Sequence, residues 1–398
     1  MKAVVIGPGR VGCGFAGQLL HASGYEVVFV SRNETLVKHF NQVGRYRVRL
    51  AEARRSQEIL VTGIRAIWAG EPDHVAGAIA EADLVATAVG AQSLPEIAPL
   101  IAAGLAQRRQ PTNVLAFENL IDVAPYLFGL IMLTPDSSSL AQHGLSGALV
   151  SRAVTQRIGD PAKDEPLLFV GDPPATFVVD GLGLRPPLPK IDGMSITENY
   201  PAMVLHKLYT FSAGHATTAY LGALKGYHYI HSAIRDAEIR AAALAAMREG
   251  QRGLAACYGP ELAGDQSELQ QIVARFENAA LNDPIARVCR DPRRKLGADE
   301  RLVGAARLAE EAGILPHKLA LAAAAALCFS NPSDPSAAKL RREIETMGPE
   351  QTLRRVSGLD PDRGVGKLVA HDLGRLSSGQ CRGNLLLSLE KLIWSWTA

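Results

Sequence analysis

The hexapeptide Gly7-Pro8-Gly9-Arg10-Val11-Gly12 follows directly on the apolar run at residues 2–6, and this junction restricts the fold more than any other part of the chain. An apolar run of that length reads as a strand buried on both faces. The pattern after it, with Phe15, Leu19 and Leu20, reads as a helix, and a second apolar strand at residues 27–30 follows the turn at Gly24. Strand, glycine loop, helix and strand within about thirty residues form the setting in which a GxGxxG sequence binds a dinucleotide. Gly7 permits the tight turn, Gly9 the close approach of a pyrophosphate, and Gly12 the packing of helix on sheet. Pro8, Arg10 and Val11 complete the loop, and the N–H groups of the first helical turn face the phosphates. The alternative is an incidental glycine turn.

The end of the second strand distinguishes NAD from NADP. A carboxylate there accepts hydrogen bonds from the adenosine ribose and repels a 2′-phosphate. This chain has Ser31-Arg32, a hydroxyl beside a guanidinium, so NADP is expected, with NAD as the alternative in which Arg32 is a solvated loop residue. Further strands are expected at residues 58–64, 84–88 and 113–117. Ala88, Val89 and Gly90 close the second of these with small residues and should run beside the dinucleotide. Asn119 follows the third, at the carboxyl edge where open α/β sheets place their ligands. It reads equally as a helix cap or as a substrate contact.

With 398 residues the chain suits two or three domains. The proline-rich stretch at residues 186–189 and Gly193 mark the passage between them, giving a Rossmann-type α/β domain over residues 1–195 and a mostly α-helical domain over residues 196–398. In the latter, helices are expected at residues 237–247, 267–280, 298–312 and 318–327, with a closing helix at 385–396. The 42 basic and 40 acidic residues leave a net charge of +2 without like-charged blocks, which argues against a nucleic-acid partner. No apolar stretch is long enough to span a bilayer, and the residues after Met1 lead straight into a strand without room for a signal peptide. The five scattered cysteines make neither a zinc motif nor a disulfide framework, so a cytoplasmic, metal-free protein is expected.

In the second domain, residues 204–215 place Lys207, Ser212 and His215 within an arc of about 140° on a continuous α-helix, with Lys207 and His215 about 12 Å apart along the axis. A substrate laid along that face touches all three. On spacing alone, Lys207 is also readable as a surface lysine and His215 as a hydrogen-bonded core histidine. Ala213 and Gly214 would admit a close backbone or cofactor. The basic run with Arg290 and Arg294 is a candidate for holding a terminal phosphate, or else a solvated helix start.

Taken together, the opening glycine loop, Asp83-Leu84-Val85 through Ala88-Val89-Gly90, Glu118-Asn119 and Ser146-Gly147-Ala148-Leu149-Val150-Ser151-Arg152 resemble the mannitol-1-phosphate 5-dehydrogenases of the polyol-specific long-chain dehydrogenase (mannitol dehydrogenase) family. Lys207 through Gly222, Arg290 through Leu296 and Arg301-Leu302-Val303-Gly304 extend the resemblance over nearly the whole chain. It implies a metal-independent NAD(P)-linked interconversion of a polyol, often phosphorylated, with its ketose. Lys207 would be the general base, His215 would bind or orient the sugar, and Asn119 and the residue at 212 would stabilise the oxyanion. The chain departs from the pattern where Ser212 replaces an asparagine and where Ser31-Arg32 replaces an acidic residue. Losing one oxyanion donor typically costs about 3 kcal/mol, so a changed substrate or a compensating group is implied. An NADPH-dependent reductase of an unusual carbonyl and a non-catalytic dinucleotide-binding redox sensor are the alternatives, and a monomer or homodimer fits the sequence.

Overall fold

A computed structural model describes residues 1–135, 141–163, 165–173 and 177–377. The expected helix at 385–396, Cys381 and residues 136–140 lie outside the described residues. The chain divides into two compact units, Met1–Pro201 and a second beginning at Ala202.

The described residues of the first unit hold twelve strands, β1 (Lys2–Ile6), β2 (Glu26–Ser31), β3 (Arg45–Ala51), β4 (Ser56–Thr62), β5 (Arg65–Trp68), β6 (Leu84–Thr87), β7 (Asn113–Ala116), β8 (Gly144–Val150), β9 (Val154–Ile158), β10 (Leu168–Gly171), β11 (Phe177–Asp180) and β12 (Met194–Thr197). Eight of them form one sheet in the order β12-β11-β8-β7-β6-β1-β2-β5, parallel except where β8 meets β11. The opening strand is apolar throughout because both of its faces are covered. Ala3 and Val5 point into a core with Phe15, Phe29 and Phe177, while Val4 and Ile6 point into another with Ile79, Leu94 and Ile101.

A second sheet, β4-β3-β10-β9, was not anticipated beyond β4 itself. Its β3 alternates arginine outward with Tyr46 and Val48 buried, the period-2 pattern of a strand with one wet face. Against it lies the helix that begins after the glycine loop, which opens into a π-helical turn over Gly12–Gly17. Gly14 leaves room for Val154, whose Cγ1 would stand 2.7 Å from an added Cβ. Two carbonyls of this wider turn take side-chain donors. Tyr46 donates to the Cys13 carbonyl at 2.9 Å, and Arg152 donates to the Gly14 carbonyl at 3.1 Å and to Gln18 at 2.7 Å. The Arg152 of the Ser146–Arg152 motif is thus a buried strut for the helix that follows the glycine loop.

The second unit is helical. Its helices include Ala237–Tyr258, Gln266–Phe276, Val303–Glu311 and His317–Cys328, and three more that sequence reading omitted, Pro335–Met347, Pro349–Ser357 and Gly364–Ser377. Asp236, Asp265 and Asp334 cap three of the N-termini through their carboxylates. The run of alanines in His317–Cys328 is buried almost throughout, which lets neighbouring helices approach closely. Gly214 serves the same end: an added Cβ would stand 2.5 Å from the Met247 sulfur. The space beside Gly214 is therefore filled by the neighbouring helix. Among the described residues no helix is long and apolar enough to cross a membrane, and no group of three His, Cys, Asp or Glu is placed to hold a metal ion.

Candidate functional site

In the first unit the carboxyl ends of β1 and β6 converge on the glycine loop. Gly7 has φ of +101°, and an added Cβ would lie 2.7 Å from the Ala88 carbonyl oxygen. An added Cβ on Gly12 would lie 2.0 Å from the Gly7 carbonyl oxygen. Both glycines are therefore demanded by the protein's own packing. Gly9 differs, because a Cβ there would meet nothing among the described residues within 4 Å. Packing gives no reason for glycine at position 9, whereas a pyrophosphate approaching that backbone would. A helix start offers N–H groups to an anion and so completes a fitting cradle, with the Cys13 N–H already bonded to the Gly9 carbonyl at 2.9 Å.

Glu118 organises the adjoining loop. Its buried carboxylate accepts from the Thr87 hydroxyl at 2.6 Å and from the Val89 N–H at 2.9 Å, tying the end of β7 to the loop of Ala88, Val89 and Gly90. Burial raises its pKa, opposed by those hydrogen bonds. The sequence pointed to its neighbour instead. Asn119 is exposed at the carboxyl end of β7, and its side chain has no hydrogen-bond partner among the described residues. The helix that follows, Val123–Met132, takes Asp122 as its N-cap residue, so Asn119 does not serve as a cap.

At the end of β2, the Ser31 hydroxyl accepts from the Asn33 N–H at 3.1 Å, and Asn33 in turn caps the next helix by accepting from Leu36 N–H at 3.0 Å. Arg32 is not a free loop arginine. Its guanidinium pairs with Glu96 and reaches Ser93 Oγ at 3.4 Å.

Where the second unit begins, the helix Tyr200–Lys207 passes through a π turn, Leu208–Ser212, into the helix Ala213–Leu224. The expectation of a continuous α-helix is corrected here. A π turn holds one more residue than an α turn, so whatever lies beyond it is rotated back by about 100°. The arc spanned by Lys207, Ser212 and His215 then narrows from about 140° to about 60°. Local side chains brace the turn, with Thr210 Oγ1 donating to the His206 carbonyl at 2.5 Å. Ser212 is buried.

Lys207 is only partly exposed and makes no hydrogen bond or ion pair with any described residue. Burial, reinforced by the positive charges of Arg301 and Arg275, pushes its pKa down to about 8. His215 sits with its ring stacked on Phe276 at 4.9 Å between centroids and beside Phe211 at 5.5 Å. Its Nε2 lies 3.1 Å from Asp283 Oδ2. Asp283 receives two further hydrogen bonds from Arg287, at 2.6 and 2.7 Å. Burial alone would raise the Asp283 pKa, but Arg287 and His215 bring it well below the usual carboxylate range. Burial also lowers the His215 pKa, Asp283 notwithstanding. An ionised carboxylate only accepts, so the proton of the neutral imidazole belongs on Nε2. Nδ1 keeps a lone pair for a substrate hydroxyl. Sequence reading missed Asp283 and Arg287, since nothing local marks an aspartate 68 residues away as the partner of His215.

The basic run resolves into two kinds of residue. Arg294 pairs with Asp291 at 2.9 Å and Glu300 at 2.7 Å, and Arg293 grips Glu343 at 2.7 and 3.1 Å. Lys295 is buried, pushed down to about 7 by burial and by Arg301, and donates to the carbonyls of Val288 and Arg290. Arg290 is exposed, and its guanidinium makes no hydrogen bond or ion pair with a described residue. Arg301 is buried against Glu300 at 2.9 Å.

Comparison with known proteins places these features in context. Residues 1–193 match the model of the mannitol dehydrogenase Rossmann domain and residues 199–362 that of the mannitol dehydrogenase C-terminal domain. The mannitol-1-phosphate 5-dehydrogenase of Brevibacillus brevis is 37% identical over 382 residues, covering 94% of this chain and 98% of the relative. That of Bacillus licheniformis is 37% identical over 378 residues, covering 94% and 100%. Among solved structures, Pseudomonas fluorescens mannitol 2-dehydrogenase in ternary complex with NAD and D-mannitol superposes with a TM-score of 0.79. It shares 17% identity and covers 99% of this chain and 94% of its own. A substrate-free D-sorbitol dehydrogenase gives 0.72 at 15% identity, covering 96% and 94%.

Proposed function

The chain belongs to the mannitol dehydrogenase family as an oxidoreductase acting on CH–OH groups and interconverting polyol and ketose, and from that premise we propose that Lys207 is its general acid/base and a phosphorylated open-chain polyol its substrate. The observation that carries the assignment is a lysine with a pKa of about 8 and no partner among the described residues, on one helix face with an oriented histidine. In alcohol oxidation, neutral Lys207 Nζ takes the hydroxyl proton as the carbon loses hydride; in reduction its ammonium returns the proton to the carbonyl oxygen. Lys295, whose pKa is pushed further down, to about 7, is a poor candidate because its amine is spent on two backbone carbonyls.

His215, held by Asp283, accepts a hydrogen bond from a substrate hydroxyl through Nδ1 and fixes the polyol. Ser212 and Asn119 supply hydrogen-bond donors to the oxygen that gains negative charge. Arg290, whose guanidinium makes no ion pair with a described residue, is the cation for a terminal phosphate, and Arg294 assists by keeping Asp291 and Glu300 neutralised. The names of the Brevibacillus and Bacillus relatives support mannitol 1-phosphate as the first substrate to try.

The cradle of Gly7, Pro8, Gly9, Arg10, Val11 and Gly12, with the loop of Ala88, Val89 and Gly90, fits a nicotinamide dinucleotide, which when bound accepts or donates the hydride. NAD is supported by the mannitol 2-dehydrogenase complex. NADP is supported by Ser31 and Arg32, a hydroxyl and a guanidinium at the end of β2 where NAD-specific sites place a carboxylate of that strand. Ser212 in place of asparagine favours a second reading within the same class, reduction of a different carbonyl. Nicotinamide absorbance followed across mannitol 1-phosphate, other hexitol and pentitol phosphates, and the free polyols tests both readings. Turnover restricted to unphosphorylated polyols would remove the phosphate assignment.

A further inference from the structure

Arg32 and Glu96 come from opposite sides of the dinucleotide cradle. The sheet order β6-β1-β2 places β1, which leads into the glycine loop, between the strands whose ends carry the two residues. Arg32 follows β2 directly. Ser93 and Glu96 follow β6, at the end of the short turn Ala91–Ser93 and in the first turn of the helix Leu94–Ala106. The ion pair therefore crosses the carboxyl end of β1. Both side chains are more than half exposed, 69% and 55%, so the pair is open to exchange with a ligand.

We propose that Glu96 sets the discrimination between NAD and NADP by competing with the 2′-phosphate for Arg32. The proposal rests on the dinucleotide reading of the glycine loop. With NAD, the adenosine ribose presents only hydroxyls, and Arg32 stays with Glu96. With NADP, the guanidinium must leave Glu96 for the phosphate, and an unpaired carboxylate is left near a dianion. The Ser31 hydroxyl accepts from Asn33 N–H and keeps its own proton to donate to the ribose or the phosphate. Ser31 thus serves either cofactor, while the Arg32–Glu96 pair separates them. An exposed pair commands a small free energy, and removal of its acidic member releases Arg32 and relieves the repulsion together.

The test is the ratio of kcat/KM with NADP to that with NAD, measured for wild type, Glu96→Gln, Arg32→Ala and the double variant. Glu96→Gln is expected to raise the ratio about two- to fivefold. That gain should shrink when Arg32 is also Ala, because only the relief of repulsion then remains and there is no guanidinium to compete for. An unchanged or lower ratio in Glu96→Gln, or a gain that is undiminished in the double variant, overturns the proposal. Direct titration of each protein with NADH and NADPH, followed by nicotinamide fluorescence, separates the two levels of inference. Wild type that binds neither dinucleotide overturns the cofactor reading and the proposal with it. Both dinucleotides binding with an unmoved ratio overturns the role of Glu96 alone.

Discussion

The pKa of Lys207 dictates the shape of the pH–rate profile, and that shape separates a tuned base from an ordinary surface lysine. A lysine at its usual pKa near 10.5 is about 0.03% neutral at pH 7, whereas one at about 8 is about 9% neutral, a gain of roughly 300-fold in competent base. For polyol oxidation, kcat/KM should rise about tenfold between pH 7 and 9 and then level off, with its bend near 8. An unshifted lysine would instead give a rise of about a hundredfold over the same interval and no plateau below pH 10. Ketose reduction needs the ammonium, so its profile should fall through the same bend. Because burial is the first cause of the shift and Arg301 and Arg275 add to it, Arg275→Gln should move the bend upward by no more than about one unit. The measurement is steady-state kinetics in both directions at constant ionic strength, beside Lys207→Ala. An oxidation limb without a bend between pH 7 and 9, or Lys207→Ala that keeps the wild-type profile, refutes the reasoning.

Three further outcomes follow from the geometry. Gly9→Ala should melt at the wild-type temperature yet weaken dinucleotide binding at least tenfold, while Gly12→Ala should lose about 1–3 kcal/mol of stability by overpacking; thermal melts with and without dinucleotide read both. Asp283→Ala, which leaves His215 without its anchor and Arg287 without its partner, should cut kcat/KM about 10- to 100-fold, with Asp283→Asn restoring part of it through its amide oxygen. Ser212→Asn should raise turnover on mannitol 1-phosphate if serine marks a different preferred substrate; an unchanged or lower rate would instead mean that the enclosure around Ser212 is already matched to the smaller side chain.

What the sequence announced and what it withheld divide along the range of the interactions. The glycine loop, β1, β2, β6 and β7 were legible because a continuous apolar run beside a fixed glycine spacing has few other solutions. The second sheet was harder to see, since Arg45, Arg47 and Arg49 mask the alternation in β3, although Tyr46 and Val48 carry it. Lys207 and His215 could be named from spacing and resemblance, but their relation depends on a π turn that no local residue pattern signals. Asp283 and Glu118 act through partners 29 to 68 residues distant, and Arg287 acts through Asp283, so only the folded chain brings such groups together. Arg294 and Arg290 look alike in the run; their difference lies in Asp291 and Glu300, which engage one and not the other.

The π turn after Lys207 also changes what counts as a small mutation. For most helices the least disruptive genetic step is a substitution, and the loss of a codon is ruinous. At residues 208–212 the wider turn already carries a surplus residue, so deleting one lets the backbone relax into an ordinary α-helix. The fold would tolerate that shortening, and the side chains beyond it would keep their bearing on Lys207, because the residue lost is the one that the wider turn holds in surplus. Chemistry in this helix is thus more exposed to the loss of a single side chain than to the loss of a residue from the turn. The opening helix carries a surplus of the same kind at Gly12–Gly17, so each half of the chain has one place where a residue can be removed without turning the rest of its helix.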